Sequence, residues 1–320
     1  MVSDRSHDKK GSATRIVLIG MLAALIAITG YVGMAQAAKL QQKTFKSPDA
    51  AVKALMDATK AHDVKALVAL FGPGSDDLIS SGDDVDDARG RDMFVKAYDE
   101  AHRLEKAGDK KRILYVGKDD WPMPVPIVKA GKRWHFQPEE GRQEILSRRI
   151  GKNEIGAIQT CLAIVDAQKE YAVLDRDTDQ LLEYAQKFES EKGKSDGLYW
   201  ETAPGEPLSP LGPLVARATA EGYGKAEQLS PYHGYYFRIL NAQGENAKGG
   251  AYSYMADGSM IGGFAIVAYP ALYRASGVKT FIVNHEGIVY EQDLGPEATP
   301  PADPLDPGLV VVAVLATVTR

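Results

Sequence analysis

Cysteine is nearly absent from this sequence, since Cys161 is the only one in 320 residues. A single cysteine excludes an intrachain disulfide, so hydrophobic packing must hold the fold together. Cys161 lies on an apolar stripe at helical spacing with Ile158, Leu162 and Val165. Such a setting predicts a buried small side chain and not a reactive thiol, which needs polar or cationic neighbours.

Local catalytic signatures are missing as well. The chain has no G-x-S-x-G, no H-E-x-x-H and no paired C-x-x-C, and no lysine follows the glycines of "GPGSDD" or "ISSG" to make a phosphate loop. These absences favour a non-catalytic role and leave any catalytic residues unknown. Carboxylate pairs of the glycosidase type stay open, because only their separation in space identifies them.

The chain also lacks an excess of basic residues. Its formal net charge is −5, and no basic cluster follows the N-terminus, which argues against a nucleic-acid partner. One loop is instead rich in acids, and the simplest interpretation is a solvated acidic surface. Its aspartates are Asp76, Asp77, Asp83, Asp84, Asp86 and Asp87.

The N-terminus has the three parts of a signal peptide. Basic residues precede a charge-free apolar run at 16–34, and Ala35-Gln36-Ala37 has the small-x-small form that signal peptidase cleaves. The sequence therefore predicts a signal peptide over 1–37, cleavage after Ala37, and a periplasmic or secreted protein. The alternative is an inner-membrane anchor formed by 16–34, since that run is about long enough to span a bilayer.

The first half predicts an α+β domain over 38–140. Ser47, Pro48 and Asp63 are helix-start signals before two amphipathic segments, and a third helix is expected around 91–104. Three short strands with turn residues between them follow as "KRILYVGKD", "MPVPIVKAG" and "KRWHFQP". Helices followed by a curved antiparallel sheet define the α+β class.

The second half predicts a long helix packed on a second antiparallel meander sheet, over 141–295. The helical pattern extends from about Pro138 to Phe188, and we expect a break near Gly151, since interior glycines weaken helices. Strand patterns follow from "YYFRIL" to "FIVNHEGIVYEQ", where "NHEG" predicts a hairpin turn. Residues 296–320, proline-rich and then apolar, predict an irregular tail.

The stretch "PYHGYYFRIL" is interpreted as a strand. Tyr235, Phe237 and Ile239 should share the face that packs on the helix carrying Cys161, with Tyr236 and Arg238 on the other face.

Three resemblances follow from these motifs. "SPDAAVKALMDATKAHDVKALVALF" followed by "KRWHF" resembles nuclear transport factor 2-like domains, which implies a pocket that His135 and Asp119 or Asp120 would line. "AQKEY", "LEYAQKF" and "DGLYW" before the strands are similar to the globular part of type IV pilins and pseudopilins. Across about 45–295, motifs such as "DDWPMPVPIVKAGKRWHF" and "HGYYFRILNAQG" resemble an exported bacterial family, the domain of unknown function numbered 2950. That resemblance implies a secreted or periplasmic protein without an established activity.

Candidate site residues are few. His135, His233, Tyr236 and Arg238 are the candidate ligand-binding residues, with an ordinary strand or strand-entrance role as the alternative for each histidine. In "DRDTDQ", Asp175, Asp177 and Asp179 begin like a calcium loop, but the glycine and glutamate of an EF-hand are missing. A looser calcium site that includes Glu183, and a solvated turn, are the two interpretations.

Two function classes remain open on this sequence. In the first, the protein is an exported, non-catalytic scaffold that binds a small molecule or an envelope protein. No cofactor is expected for this role other than the calcium ion discussed above. In the second, it is a periplasmic hydrolase in which a pocket histidine works with nearby carboxylates. The lack of a catalytic motif favours the first, with a membrane contact only through an uncleaved signal segment.

Overall fold

A computed structural model describes residues 41–224 and 230–296, together with a short strand at 316–317. The predicted signal peptide and most of the predicted tail lie outside the described residues. Within the described part, no helix is long and apolar enough to cross a membrane.

Helices come first, as predicted. They are α1 (Pro48–Lys60), α2 (Val64–Phe71), the short α3 (Asp76–Ile79) and α4 (Asp84–Glu100). The predicted caps are in place: the Ser47 hydroxyl accepts the Ala50 N–H at 3.1 Å, and the Asp63 carboxylate accepts the Ala66 N–H at 2.9 Å. Local capping chemistry therefore sets where α1 and α2 begin.

A first antiparallel sheet follows. Its strands are β1 (His102–Lys106), β2 (Lys111–Val116), β3 (Trp121–Pro122), β4 (Ile127–Ala130) and β5 (Arg133–Phe136), in the order β1-β2-β4-β5 with β3 beside β2. The predicted third helix was placed too far along the chain, because α4 ends at Glu100. Leu104 instead pairs with Leu114 across the sheet and contacts the hydrophobic core that α1 and α2 form with it.

The long helix α5 (Pro138–Tyr171) continues through Gly151 and Gly156, so the predicted break is wrong. A Cβ added at Gly156 would make an ordinary van der Waals contact, 3.4 Å from the His233 Cβ, so this face of the helix packs against the turn before β6. The helix also ends earlier than predicted. The Gln168 side-chain amide forms two hydrogen bonds with the Ala185 backbone, at 2.7 and 2.9 Å, and the segment 184–188 is not helical.

A short helix α6 (Gly212–Ala220) precedes the second sheet. That sheet contains β6 (Tyr235–Leu240), β11 (Ala265–Pro270), β12 (Thr280–Asn284), β13 (Val289–Gln292) and β14 (Ala316–Thr317), antiparallel in the order β14-β13-β12-β11-β6. Between β6 and β11 lie two-residue strands, which are β7 (Ala242–Gln243), β8 (Tyr252–Ser253), β9 (Met255–Ala256) and β10 (Ser259–Met260).

The α+β prediction is confirmed, including the long helix on the meander sheet. Tyr235 is fully buried, and Phe237 and Ile239 pack against the same hydrophobic core as Cys161 and Val165 of α5. Burial raises the pKa of the Cys161 thiol, as expected for an inert side chain.

The described residues contain two separate hydrophobic cores, one under each sheet, within the compact unit Gln41–Arg320. The division into domains at 140/141 stays a prediction.

Candidate functional site

The predicted ligand-binding residues are spread over the two sheets. His135 lies in β5 opposite Val128, and no described carboxylate forms an ion pair with it. Tyr236 lies on the second sheet with its ring centroid 5.6 Å from that of Tyr269, and Arg238 pairs with Val267 on the neighbouring strand. His233 alone belongs to a dense group of charged side chains.

That group lies where the acidic segment meets the turn before β6, and we call it the Asp83 cluster. Its members are Asp83, Asp86, Arg89, Lys152, Glu221, Tyr223 and His233. The polar contacts form a chain. Arg89 makes ion pairs with Glu221 at 3.5 Å and with Asp86 at 2.8 Å, and the imidazole Nε2 of His233 lies 3.1 Å from the Glu221 carboxylate. Lys152 of α5 closes the chain at 2.8 Å from Asp86.

Asp83 is the buried centre of the cluster, with 1% of its surface exposed. One carboxylate oxygen accepts the Tyr223 hydroxyl and the Gly234 N–H, both at 2.9 Å, and the other accepts the Asp86 N–H at 3.0 Å. Burial and the Asp83 carboxylate raise the pKa of Tyr223, so its hydroxyl stays a donor. The Tyr223 oxygen in turn accepts the His233 N–H at 3.2 Å.

The prediction of a solvated acidic surface is therefore wrong for most of this segment. Besides Asp83 and Asp86, the Asp77 carboxylate binds Arg142 of α5 at 2.6 Å. Arg149 of the same helix donates to the Asp77 and Leu78 carbonyls at 2.6 and 2.7 Å. Among the six aspartates, Asp76 and Asp84 fit the prediction, since both are exposed.

His233 has the environment of a structural residue. Burial lowers the pKa of His233, against the opposing effect of Glu221 and Asp86, so burial favours the neutral imidazole. Its backbone adopts a left-handed conformation with φ of 51°, held by the bond from its N–H to Tyr223. No serine, threonine or cysteine hydroxyl or thiol of the described residues hydrogen-bonds to it, so the geometry offers no activated nucleophile.

The acidic loop after α5 brings three carboxylates together. One oxygen from each of Asp175, Asp177 and Asp179 lies within 4.8 Å of the others, and all three residues are exposed. Both oxygens of Asp175 already accept backbone N–H groups, from Thr178 at 2.7 Å and Gln180 at 3.0 Å. Glu183 is outside this group, and its carboxylate accepts the Met260 N–H at 3.2 Å. The calcium site stays a prediction, and hydrogen bonds within the turn already engage both oxygens of Asp175.

Next to that loop is a cleft of about 590 Å³, which we call the Arg176 cleft. Charges of both signs and two tyrosines line it; they are Tyr171, Arg176, Asp177, Glu183, Tyr184, Lys187, Lys194 and Asp196. Lys187 is neutralised by Asp196 at 2.8 Å, and Lys194 by Glu191. Of the cations that line the cleft, Arg176 has no ion pair with any described residue.

Three contacts hold Arg176 in that position. Its guanidinium carbon lies 4.8 Å from the centre of the Tyr171 ring and 5.1 Å from that of Trp200. Its Nε donates to the Tyr171 carbonyl at 3.1 Å, and the Tyr171 hydroxyl is fixed by a 3.0 Å bond to the Ser195 carbonyl. The terminal N–H groups are therefore preorganised beside an open cleft.

Arg176, Tyr184 and Trp200 were not among the predicted site residues. Two signals were present: Arg176 stands inside "DRDTDQ", and Trp200 ends the irregular "DGLYW". Neither segment has helix or strand periodicity, and nothing local indicates that the two side chains meet.

Fold and site together define an α+β protein with a long helix between two antiparallel sheets and an open polar cleft at that helix's C-terminal end. The chain belongs to the family described as "Protein of unknown function (DUF2950)", which matches residues 42–306. The comparisons found no matching curated protein and no matching solved structure. The resemblances to nuclear transport factor 2-like domains and to pilins stay predictions.

Proposed function

We propose that this protein is an exported envelope protein that binds a small carboxylate-bearing ligand in the Arg176 cleft without catalysing a reaction. The observation that carries the proposal is the preorganised guanidinium of Arg176, which has no ion-pair partner among the described residues. A planar guanidinium with free N–H groups matches a carboxylate in a bidentate manner.

The other side chains of the cleft support a polar ligand of mixed charge. Lys187 and Asp196 neutralise each other on one wall, while Asp177 and Glu183 add negative charge elsewhere. A ligand with a carboxylate and a cationic or hydroxyl group would fit this lining. Its carboxylate would bind Arg176, and its other group would lie near the carboxylates of Asp177 and Glu183 without repelling them.

The lining also supports binding over catalysis. No histidine or cysteine is among the described residues that line the cleft, and its hydroxyls belong to Ser195 and two tyrosines. A nucleophile needs an adjacent general base, and the described cleft offers no base oriented by a third group. His233, the strongest candidate for a base, is engaged in the Asp83 cluster.

Ligand binding should appear as thermal stabilisation in a screen of acetate, succinate, citrate and glutamate. An acid that binds and is present at a free concentration of about 100 times its Kd stabilises the folded state by about 2.7 kcal/mol. Arg176→Lys should weaken binding of that acid roughly tenfold or more, because lysine keeps the charge and loses the fork. Arg274→Lys is the matched control, since Arg274 also lies over a tyrosine ring, at 5.3 Å from the centre of Tyr273, but outside the cleft.

Two outcomes of this screen would contradict the proposal. In one, none of the four acids raises the melting temperature of the parent protein. In the other, a stabilising acid is bound equally well by Arg176→Lys, which would place it elsewhere.

Export is tested separately, in protein purified from its native host. Cleavage of the small-x-small motif should leave a mature N-terminus at Ala38, and intact-mass spectrometry should detect it. An uncleaved chain recovered with the membrane fraction would instead support the anchor formed by 16–34.

A further inference from the structure

The charges that line the Arg176 cleft do not balance. Its two lysines are balanced by the carboxylates of Asp196 and Glu191. Asp177 and Glu183 also line the cleft, and neither of them forms an ion pair with a described residue. The unpaired charges are therefore one guanidinium, that of Arg176, and two carboxylates, with a net charge of −1.

These unpaired groups are open to a ligand. One oxygen of the Glu183 carboxylate accepts the Met260 N–H at 3.2 Å, which positions the side chain. The other oxygen has no partner among the described residues and is not buried. Asp177 is exposed. The terminal nitrogens of Arg176 are not buried either, so all three groups can contact a molecule in the cleft.

The unpaired charges face one common space. Burial raises the pKa of Tyr171, and the negative charge of Glu183 raises it further, while Arg176 acts in the opposite direction. Charges of both signs therefore act on the Tyr171 hydroxyl at the wall of the cleft. Asp177 strengthens the negative side, because one of its carboxylate oxygens lies within 4.8 Å of those of two neighbouring aspartates. Carboxylates this close together attract a cation.

A ligand that complements this set carries one carboxylate and two cationic groups. A dicarboxylate would add a second anion beside Asp177 and Glu183, and a diamine would leave Arg176 without a partner. An α-amino acid with a cationic side chain has the required groups, since at about pH 7 it carries a carboxylate, an α-ammonium group and a side-chain cation. Its aliphatic stem can lie against the ring of Tyr184, which also lines the cleft.

We propose that the Arg176 cleft selects a free basic α-amino acid. The ligand carboxylate pairs with the guanidinium of Arg176, and its two cationic groups lie beside the carboxylates of Asp177 and Glu183. This inference rests on the proposed function, because it assigns a ligand class to the same site.

The test is titration calorimetry of the full chain with L-lysine and two matched probes, in buffer with EDTA so that no divalent cation occupies the aspartates. Norleucine lacks the side-chain ammonium of lysine, and cadaverine lacks its carboxylate. Lysine should bind about fivefold more tightly than norleucine, the equivalent of one ion pair at an open site. It should bind about tenfold more tightly than cadaverine, which cannot pair with Arg176.

A double variant, Asp177→Asn with Glu183→Gln, should bind lysine and norleucine equally well. Glutamine keeps an acceptor oxygen for the Met260 N–H, so the melting temperature should match that of the parent. The matched control is Asp166→Asn with Glu170→Gln, which removes the same charge from exposed positions of α5 outside the cleft. This control should keep the preference for lysine.

The outcomes separate this inference from the proposed function. If the parent binds norleucine or cadaverine as tightly as lysine, or if the double variant keeps the preference for lysine, the basic amino-acid class is overturned. Norleucine bound as tightly as lysine, with both weakened by Arg176→Lys, would leave the carboxylate site of the proposed function standing. If lysine, norleucine and the four acids all fail to bind, both proposals are overturned.

Discussion

Replacing Asp83 by alanine should lower the free energy of unfolding by about 3–5 kcal/mol. The carboxylate is buried and accepts hydrogen bonds from the Tyr223 hydroxyl and from the Gly234 and Asp86 N–H groups. The alanine variant leaves these three donors without an acceptor in a region of low exposure. It also removes the N-cap of α4, which by itself is worth about 1 kcal/mol.

Asp84→Ala is a matched control for this prediction. Asp84 is the adjacent residue and has the same chemistry, but it is exposed. Urea denaturation of both variants should show a loss of about 0.5 kcal/mol or less for Asp84→Ala. The loss of unfolding free energy for Asp83→Asn should lie between those of Asp84→Ala and Asp83→Ala, because asparagine keeps one acceptor oxygen. Equal midpoints for Asp83→Ala and Asp84→Ala would contradict the view that Asp83 is the structural centre of its cluster.

Replacing Phe281 by alanine should cost about 3–5 kcal/mol through the cavity that it leaves. Phe281 is 1% exposed in β12, it pairs with Ala268, and its ring centroid lies 5.9 Å from that of Tyr235. The side chain belongs to the core that the second sheet forms with α5, where Cys161 is fully buried. Close packing leaves little room for the neighbours to collapse into the space.

Phe237→Ala provides a graded comparison within the same core. Phe237 pairs with Ala268 from the other side, but its ring is only partly buried, so we expect a loss of about 2 kcal/mol. The two variants should be compared by chemical denaturation. We expect their m-values to equal that of the parent, which would show that only the stability has changed. A larger loss for Phe237→Ala than for Phe281→Ala would mean that the sheet packs on α5 through its other edge.

Local signals in the sequence predicted much of the fold. The helix caps at Ser47 and Asp63 were confirmed because a cap depends on residues within one turn. The hairpin at "NHEG" was confirmed for the same reason: the Asn284 side chain accepts the Glu286 and Ile288 N–H groups, and Gly287 takes a φ of 83°. The alternation in β6 correctly placed Tyr235 and Phe237 on the face toward α5, because strand periodicity follows from backbone geometry alone.

The errors came where distant parts of the chain decide the local structure. The segment "LLEYAQKF" has helical periodicity but is not helical. The Ala185 N–H and C=O groups hydrogen-bond to the Gln168 side chain, and the Tyr184 N–H donates to the Met260 carbonyl. Long-range hydrogen bonds of this kind can outweigh helix propensities, which are below about 1 kcal/mol per residue. Gly151 and Gly156 did not break α5 for a similar reason, since packing along the helix outweighs the small cost of each glycine.

The sequence by itself determined the α+β class, the starts of the first helices, the faces of the central strand and the inert burial of Cys161, because these depend on spacing and on side-chain type. Only the tertiary structure decided that Asp83 is buried while Asp84 is exposed, since the neighbouring aspartates are chemically identical and differ only in what packs against them. The same holds for the Arg176 cleft. Arg176 and Trp200 are separated by 24 positions in the chain, and no local pattern indicates that the guanidinium and the centre of the indole ring lie 5.1 Å apart.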